Sequence, residues 1–111
     1  MGDNDRLQEM FAEFLKIYKF INHPQIMAAL NTELSDKTRK IVYELSNGEN
    51  TTRDIAKVAG ISISTITSYW KQWALKGIVV PAQRKGRFKA AFDPAEYGLS
   101  VISVDEQGGE G

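Results

Sequence analysis

The side chains with the clearest chemical character are a block of cations. Between residues 51 and 92 the sequence contains eight Lys or Arg residues and one acid, Asp54, so the segment carries eight minus one, or +7. The cations are Arg53, Lys57, Lys71, Lys76, Arg84, Lys85, Arg87 and Lys89. Attraction to phosphate decays over a Debye length of about 10 Å, so this local charge matters more than the net charge of zero. The block is suited to contacting a polyanion.

The rest of the chain has the opposite balance. Residues 1–50 hold six bases and eight acids, and residues 93–111 hold five acids and no base. There is no cysteine, which excludes disulfides, thiol catalysis and thiolate metal sites. The only histidine, His23, is expected to be a helix cap or an exposed loop residue, since no second His or Cys could complete a metal site. We expect no metal and no cofactor.

Two predicted helices meet at a glycine inside the basic block. Thr51 or Thr52 is a suitable N-cap for the first helix, and Gly60 ends it because glycine tolerates the left-handed conformation. Ser62 or Ser64 can cap the second helix, whose apolar residues recur every three to four positions. The pattern predicts a helix-turn-helix, with the second helix presented to the major groove of DNA.

The buried side of the second helix can be predicted from the same spacing. Ile66 and Trp73 are expected in the core. Tyr69 and Trp70 are adjacent, and adjacent helical residues do not face the same way. We expect Tyr69 to be buried and Trp70 to lie against the following hairpin or the N-terminal helix.

A β-hairpin is predicted after the second helix. Residues 78–82 form its first strand and residues 88–92 its second, with Gly86 allowing a positive φ at the tip. Three cations of the tip are expected to point outward: Arg84, Lys85 and Arg87. A two-stranded wing with this tip would reach the phosphate backbone or the minor groove beside the second helix.

The N-terminal segment carries a wide apolar stripe. Residues 1–4 are expected to be disordered, residues 5–21 to form an amphipathic helix, and residues 22–24 to break it before a second helix that ends near Asn31. The stripe consists of Leu7, Met10, Phe11, Phe14, Leu15, Ile17, Tyr18, Phe20 and Ile21. It could cover the domain core or form a homodimer interface, and one face could serve each role.

The remaining segments are predicted as follows. Ser35 or Asp36 caps a helix that ends near Ser46, with Glu44 on its solvated side. Residues 94–99 form a helical turn and residues 100–104 a short strand or extended segment. The expected domains are a helical extension at 1–31, a globular domain at 32–104 and a disordered acidic, glycine-rich tail at 105–111.

Two runs of sequence resemble a known family. GISISTITSYWKQWALKGIV resembles the recognition helix of MarR- and ArsR-like winged-helix proteins, including the Leu-Lys-Gly ending followed by aliphatic residues. LSDKTRKIVYELSNGENTTRDIAKVAG resembles the first helix and connector of the same architecture. The resemblance covers roughly residues 35–92. It implies a mainly α fold with a small β-hairpin, namely a winged helix-turn-helix preceded by N-terminal amphipathic helices.

The resemblance also implies roles for individual residues. Ser64 and Thr65 become candidates for phosphate or base-edge contacts. Thr67, Ser68 and Gln72 become base-reading candidates, and Lys71 a candidate for a phosphate or a guanine. The sequence departs from the family at Ser68, where arginine is frequent, and at Ile63, which is usually polar. With mostly short hydroxyls on this face, specificity is expected to be weak or to depend on DNA shape. The candidate DNA-binding residues are Thr52, Arg53, Ser62, Ser64, Thr65, Thr67, Ser68, Lys71, Gln72, Arg84, Lys85, Arg87 and Lys89.

These observations predict a DNA-binding homodimer, with residues 5–21 as the dimer interface and transcription regulation as its role. The alternative is a winged helix that binds a protein partner and makes no DNA contact. An enzyme is not expected, because the sequence has no phosphate-binding glycine loop, no paired metal ligands and no plausible catalytic triad. The N-terminus lacks a signal-peptide pattern and no apolar run approaches the length of a membrane span, so a cytoplasmic location is expected.

Overall fold

The computed structural model describes residues 2–102 and has four helices followed by one pair of strands. The helices are α1 (Gly2–Glu33), α2 (Lys37–Leu45), α3 (Thr52–Ala59) and α4 (Ile63–Leu75). The strands are β1 (Val79–Pro81) and β2 (Phe88–Ala90), and a 3₁₀ helix follows at Pro94–Tyr97. The expected mainly α fold with a small β-hairpin is therefore confirmed. The expected tail at 105–111 lies outside the described residues.

The N-terminal segment is one helix, so the predicted break at residues 22–24 is wrong. Pro24 lies inside α1 and has no N–H to donate, which leaves the carbonyl of Phe20 without its helical hydrogen bond. The following turns bury Leu30 completely, and the apolar burial outweighs this one lost bond. Residues 2–4 also belong to α1, so their predicted disorder is wrong as well.

His23 is neither a cap nor an exposed loop residue. It lies within α1 and is half-buried, with its ring stacked on Tyr97 at a centroid distance of 4.7 Å. This contact fixes the middle of α1 against the 3₁₀ helix. The boundary expected between residues 31 and 32 falls inside α1, whose end brings Leu30 and the following Leu34 into the core.

The caps of the other helices agree with the sequence. The Asp36 carboxylate accepts a hydrogen bond from the Arg39 amide at 2.8 Å and caps α2. Thr51 caps α3, and Ser62 caps α4 by accepting from the Thr65 amide at 3.2 Å. Each cap satisfies one of the amides that a helix start leaves without a partner.

One hydrophobic core joins all four helices to the strands. Its buried members are Leu30, Leu34, Val42, Tyr43, Ile55, Ile66, Trp70, Trp73, Ile78, Val79, Tyr97 and Leu99. Trp70 is only 3% exposed and Tyr69 is half-buried, the reverse of the prediction for this pair. The indole N–H of Trp70 finds a buried acceptor in the Ser46 hydroxyl at 2.8 Å, which removes the cost of burying it.

Tyr69 occupies the rim of this core. Its ring stacks on Trp73 at 5.3 Å and lies beneath the guanidinium of Arg39 at 5.0 Å. The expected contact between Trp70 and the hairpin is found, since its ring lies 5.2 Å from that of Phe88. Both aromatics therefore hold α4 in place, Tyr69 towards α2 and Trp70 towards β2.

The hairpin is held on both sides of β2. Val79 pairs with Ala90 and Pro81 with Phe88, in antiparallel register. On the other edge, the connector between α2 and α3 pairs with β2 through a bridge between Asn47 and Lys89. Strand β2 is therefore fixed to the helices as well as to β1.

The Tyr43 hydroxyl closes the base of the hairpin. It donates to the Ile78 carbonyl at 2.8 Å and accepts from the Phe92 amide at 3.2 Å. Burial raises the pKa of Tyr43 to about 12, although the hydrogen bonds to the backbone near Phe92 act in the opposite direction. One α2 side chain thus joins the start of one strand to the end of the other.

Glu44 does not belong to a solvated face, contrary to the prediction. Its carboxylate accepts from the amides of Val101 and Ile102 at 2.9 and 3.0 Å, and from the Ser100 hydroxyl. Residues 100–102 belong to no helix or strand and are anchored on α2 by these contacts. The end of the expected 100–104 segment lies outside the described residues.

Candidate nucleic-acid interface

The α3 and α4 helices are joined by a two-residue turn after Gly60. Gly60 has a left-handed φ of 72°, and its amide donates to the Ala56 carbonyl at 2.8 Å. A residue with a Cβ is strained at this φ, so glycine ends α3 without cost. The turn sets the direction of α4, whose start is then fixed by the Ser62 cap.

The start of α3 is held by a reciprocal capping box. The Thr51 hydroxyl accepts from the Asp54 amide at 3.1 Å, and the Asp54 carboxylate accepts from the Thr51 amide at 2.9 Å. The Thr51 amide and then its hydroxyl hold the pKa of Asp54 below its usual range, with smaller effects of Arg87 and Lys57. The predicted candidates Thr52 and Arg53 begin the helix, the first half-buried and the second exposed.

The exposed side of α4 carries the predicted base-reading residues. Ile66, Trp70 and Trp73 face the core. The exposed predicted candidates on this helix are Ser64, Thr67, Ser68, Lys71 and Gln72. The structure therefore collects them on the solvent side of one helix of 13 residues.

Several hydroxyls near the start of α4 already have hydrogen-bond partners. The Ser62 hydroxyl lies 2.8 Å from that of Thr65 and 3.2 Å from that of Ser64. Thr67 donates its hydroxyl proton to the Ile63 carbonyl at 3.1 Å, so it can only accept from a further ligand. Thr65 is half-buried. These contacts make Ser62 and Thr65 mainly parts of the helix cap.

The exposed cations divide by whether a carboxylate is near. Arg84 lies 3.5 Å from Glu49, and Lys76 lies 2.9 Å from Glu33. Within residues 2–102, four exposed candidates have no carboxylate oxygen within 4.0 Å: Arg53, Lys71, Lys85 and Lys89. Exposed ion pairs contribute little, so Arg84 can leave Glu49 at small cost for a stronger anion.

Arg87 does not point fully outward, contrary to the prediction. The residue is half-buried, and its Nε is buried without a hydrogen-bond partner in the described part of the chain. Its charge contributes to the lowered pKa of Asp54, which places the guanidinium on the α3 side of the hairpin. The tip turn itself is closed by hydrogen bonds from the Arg87 amide to the Arg84 carbonyl and from the Ala82 amide to the Arg87 carbonyl.

A shallow apolar groove lies between the second half of α4 and strand β2. It has a volume of about 510 Å³ and is lined by Thr67, Trp70, Lys71, Ala74, Leu75 and Phe88. Leu75 is 85% exposed at its rim. The groove was not predicted from the sequence, although Leu75 lies four residues after Lys71 and so shares its side of the helix. The exposed side of α4 and the hairpin therefore border one surface.

Other kinds of site find little support in the described part of the chain. Between residues 2 and 102, no three His, Asp or Glu side chains are arranged to hold a metal ion. No helix in the same range has the length and apolarity needed to cross a bilayer.

Comparisons with known proteins add no relative. The scan against protein-family models gave no match. The searches of curated proteins and of solved structures gave no significant match either. The function is therefore inferred from the residues and contacts described above.

Proposed function

We propose that the chain is a DNA-binding protein of winged helix-turn-helix architecture that acts as a homodimeric transcription regulator. Helix α4 would enter the major groove, and residues 84–89 of the hairpin would contact the backbone or the minor groove. The observation that carries the proposal is that α4 and strand β2 border one groove, lined by Lys71 of the helix and Phe88 of the strand. Strand β2 follows directly on the hairpin tip, which carries Arg84, Lys85 and Arg87.

The dimensions of α4 suit this role. Its 13 residues span about 20 Å at 1.5 Å per residue. An α-helix with side chains is about 10–12 Å wide, and the major groove of B-DNA is about 12 Å wide. The hairpin is fixed to the helices through both edges of β2, so it would meet DNA without first having to be ordered.

The contacts within the protein leave some side chains of α4 better suited than others to read bases. Because Ser62 and Thr65 form the cap and Thr67 has donated its proton, base readout would depend on Ser68, Lys71 and Gln72. Of these, glutamine can pair bidentately with adenine and lysine with guanine. Such a small set supports modest direct readout, supplemented by DNA shape.

The phosphate-contacting role is tested by the salt dependence of binding to duplex DNA. If Arg53, Arg84, Lys85 and Lys89 each neutralise one phosphate, the slope of log K against log salt is about −3.6 per protomer. Affinity would then fall roughly 150-fold between 50 and 200 mM salt. Fluorescence anisotropy with a labelled duplex measures this slope, and a slope near zero would refute the proposal.

A double substitution distinguishes the contribution of the hairpin lysines to DNA binding from the effect of the protein's net charge. Lys85→Ala/Lys89→Ala should weaken binding to all sequences alike and reduce the slope by about 1.8. Lys16→Ala/Lys37→Ala is the matched control, because it removes the same charge from exposed positions outside the basic block. Equal losses in the two variants would argue against a specific role for the hairpin.

Base readout requires a separate test. Gln72→Ala should change the sequences enriched from a randomised duplex pool, with little change in the salt slope. Ser68→Ala should have a similar but smaller effect, since a single hydroxyl makes no bidentate pair. Identical enriched sequences for both variants and the wild type would exclude direct readout by these two residues.

The homodimer is supported by the exposure of the α1 stripe. Phe14 is 58% and Ile17 is 57% exposed, although both belong to a long apolar face. A monomer rarely exposes such a patch without a partner. Sedimentation of the wild type and of Phe14→Glu should give a dimer and a monomer, and a monomeric wild type would refute the homodimer.

A second candidate is a protein-interaction module with no DNA contact, and the groove beside β2 favours it. Leu75 and Phe88 offer apolar surface where a strictly phosphate-binding face would be polar. The two candidates differ in their response to the triple variant Arg84→Ala/Lys85→Ala/Arg87→Ala. Loss of duplex binding supports the DNA-binding function, and full retention of biological activity supports the interaction module.

A further inference from the structure

Helix α1 has two apolar sides that serve different purposes. One side packs on the rest of the protein: the Lys19 ammonium lies 5.9 Å from the centroid of the Phe92 ring, and His23 stacks on Tyr97. Leu30 continues this side into the core, where it is completely buried. These positions are spaced by four and seven residues, so they lie on one side of α1, the side that faces the globular part of the chain.

The second side is an exposed stripe on roughly the opposite face. Its members are Leu7, Met10, Phe11, Phe14, Ile17, Tyr18 and Ile21, each at least 49% exposed. Leu15 and Phe20, the two other members of the predicted stripe, instead line a pocket with His23 and Tyr97. Leu7, Phe14 and Ile21 are spaced by seven residues, and Met10 and Ile17 follow the first two by three. This is the heptad spacing by which helices pair along a seam. The stripe ends at Ile21, since Gln25, Ala28 and Thr32 follow on the same side.

The area of the stripe matches that of a dimer interface. Seven large side chains at about 100 Å² of exposed surface each give roughly 700 Å² per copy. A standard interface buries about 800 Å² per partner. The rings also support one another, with Phe14 stacked between Phe11 at 6.4 Å and Tyr18 at 6.2 Å. A second copy of α1 is therefore an occupant of suitable size.

The charges of α1 select the orientation of that copy. Residues 3–13 carry four acids and one base: Asp3, Asp5, Arg6, Glu9 and Glu13. Residues 14–24 carry Lys16 and Lys19 and no acid. In a parallel pair the acidic segments would lie side by side, whereas in an antiparallel pair each would lie beside the lysines of the other copy. The antiparallel pair also opposes the two helix dipoles.

We propose that two copies pair through the exposed stripe in antiparallel orientation, with Phe14 at the two-fold axis and Leu7 of each copy opposite Ile21 of the other. This register lays the whole stripe of one copy on that of the second, because Phe14 is equidistant from both ends. It specifies the homodimer of the proposed function and does not depend on DNA binding. The two globular parts then lie at opposite ends, with their Leu30 residues about 48 Å apart along the pair.

Disulfide trapping distinguishes this register from the alternatives, and the absence of natural cysteine provides a clean background. In the antiparallel pair, residue 7 lies beside residue 21 of the second copy, but about 21 Å along the axis from the other residue 7. A disulfide requires Cα atoms within about 7 Å. Leu7→Cys and Ile21→Cys chains should therefore cross-link when mixed and oxidised, and each variant alone should not.

Peptide mapping identifies the product. Trypsin should release residues 7–16 and residues 20–37, and the proposal expects these two peptides joined by a disulfide. Phe14→Cys should cross-link to itself across the axis. Ala12→Cys is the matched control on the opposite side of α1 and should remain monomeric on a denaturing gel. All four sites are exposed, so no variant removes a core contact.

Three results would overturn the proposal. Efficient cross-linking of Leu7→Cys alone and Ile21→Cys alone would indicate a parallel pair. A wild-type protein that sediments as a monomer would leave the stripe to another occupant, such as a different protein. A dimer in which neither the mixture nor Phe14→Cys cross-links would place the interface elsewhere. Duplex binding is measured independently, so failure of the DNA-binding proposal leaves this test unaffected.

Discussion

Replacement of Ser46 by alanine should be far more costly than its small change in volume indicates. Its hydroxyl accepts from the Trp70 indole N–H at 2.8 Å and donates to the Val42 carbonyl at 2.7 Å, and the side chain is buried. Its main-chain carbonyl accepts from the Ala90 amide at 2.8 Å. One residue thus joins α2, α4 and β2, the three elements that position the candidate interface.

The magnitude follows from the group that is left without a partner. Ser46→Ala removes the acceptor of the Trp70 indole, whose buried N–H then incurs a desolvation cost of about 1–3 kcal/mol. Loss of the bond to Val42 adds about 1 kcal/mol. We expect a total loss of about 2–4 kcal/mol in the free energy of unfolding, while the Ala90 bond to the main chain stays intact.

Urea denaturation followed by tryptophan fluorescence measures this loss. Ser68→Ala is the matched control, because it makes the same substitution at an exposed position of α4 and should stay within about 0.5 kcal/mol of the wild type. In a double-mutant cycle with Trp70→Phe, the Ser46→Ala penalty should shrink, since no indole N–H remains to be orphaned. A loss below 0.5 kcal/mol for Ser46→Ala, or an unchanged penalty in the cycle, would refute the reasoning.

Three further predictions concern other single groups. Tyr43→Phe should lower the free energy of unfolding by about 1–2 kcal/mol in urea. Since the pKa of Tyr43 is raised from 10.0 to about 12, the wild type should lose stability, relative to the variant, only as the pH rises from 10 through 12. Thr51→Ala should lower the free energy of unfolding by about 1 kcal/mol. Because the pKa of Asp54 is lowered, the stability that its carboxylate contributes should be lost only as the pH falls below the usual pKa of an aspartate. This loss on acidification should be absent from Asp54→Asn. Glu44→Ala should accelerate hydrogen exchange of the amides at 101–102 without changing that of α4, and unchanged exchange would contradict the anchoring contact.

The helices from α2 onward could be predicted because local chemistry determines their ends. Asp36, Thr51 and Ser62 each cap a helix with a side-chain oxygen, and Gly60 takes the left-handed conformation that ends α3. Such contacts connect residues a few positions apart, so both residues of each contact can be recognised in one short stretch of sequence. The hairpin was predictable for the same reason: β1 lies at the centre of the expected segment 78–82, and β2 occupies the first three residues of the expected segment 88–92.

The errors concern residues whose partners are distant in sequence. Pro24 marks a helix break by local rules, but contacts made by His23 with Tyr97 and by Leu30 with the core continue the helix through it. The order of burial of Tyr69 and Trp70 depends on an acceptor 24 residues before the tryptophan. Helical spacing alone predicts that Glu44 is solvated, but the groups that donate hydrogen bonds to its carboxylate lie more than 50 residues later in the sequence. No local pattern contains this information.

The location of the candidate site could be predicted from the sequence, but which of its polar groups are free to bind a ligand could not. Position on a helix showed that Ser64, Ser68 and Lys71 share a side, and this is where they lie. It did not show that Thr67 would donate its proton to a carbonyl, or that the Nε of Arg87 would be buried. In both cases a contact within the folded protein limits what the side chain can offer to a ligand, and such contacts are known only from the structure.

The sparse polar face of α4 and the apolar stripe of α1 have a common explanation in the proposed function. A good bidentate pair contributes about 1–3 kcal/mol of discrimination, and α4 offers only Lys71 and Gln72 for such pairs. Specific recognition typically exceeds non-specific binding by about 4–10 kcal/mol, which one such helix barely reaches. Two copies of α4 on one duplex double the contribution, because contacts at separate half-sites add. If α4 reads DNA as proposed, so few base-reading side chains would call for a dimer, and the exposed stripe from Leu7 to Ile21 would supply its interface.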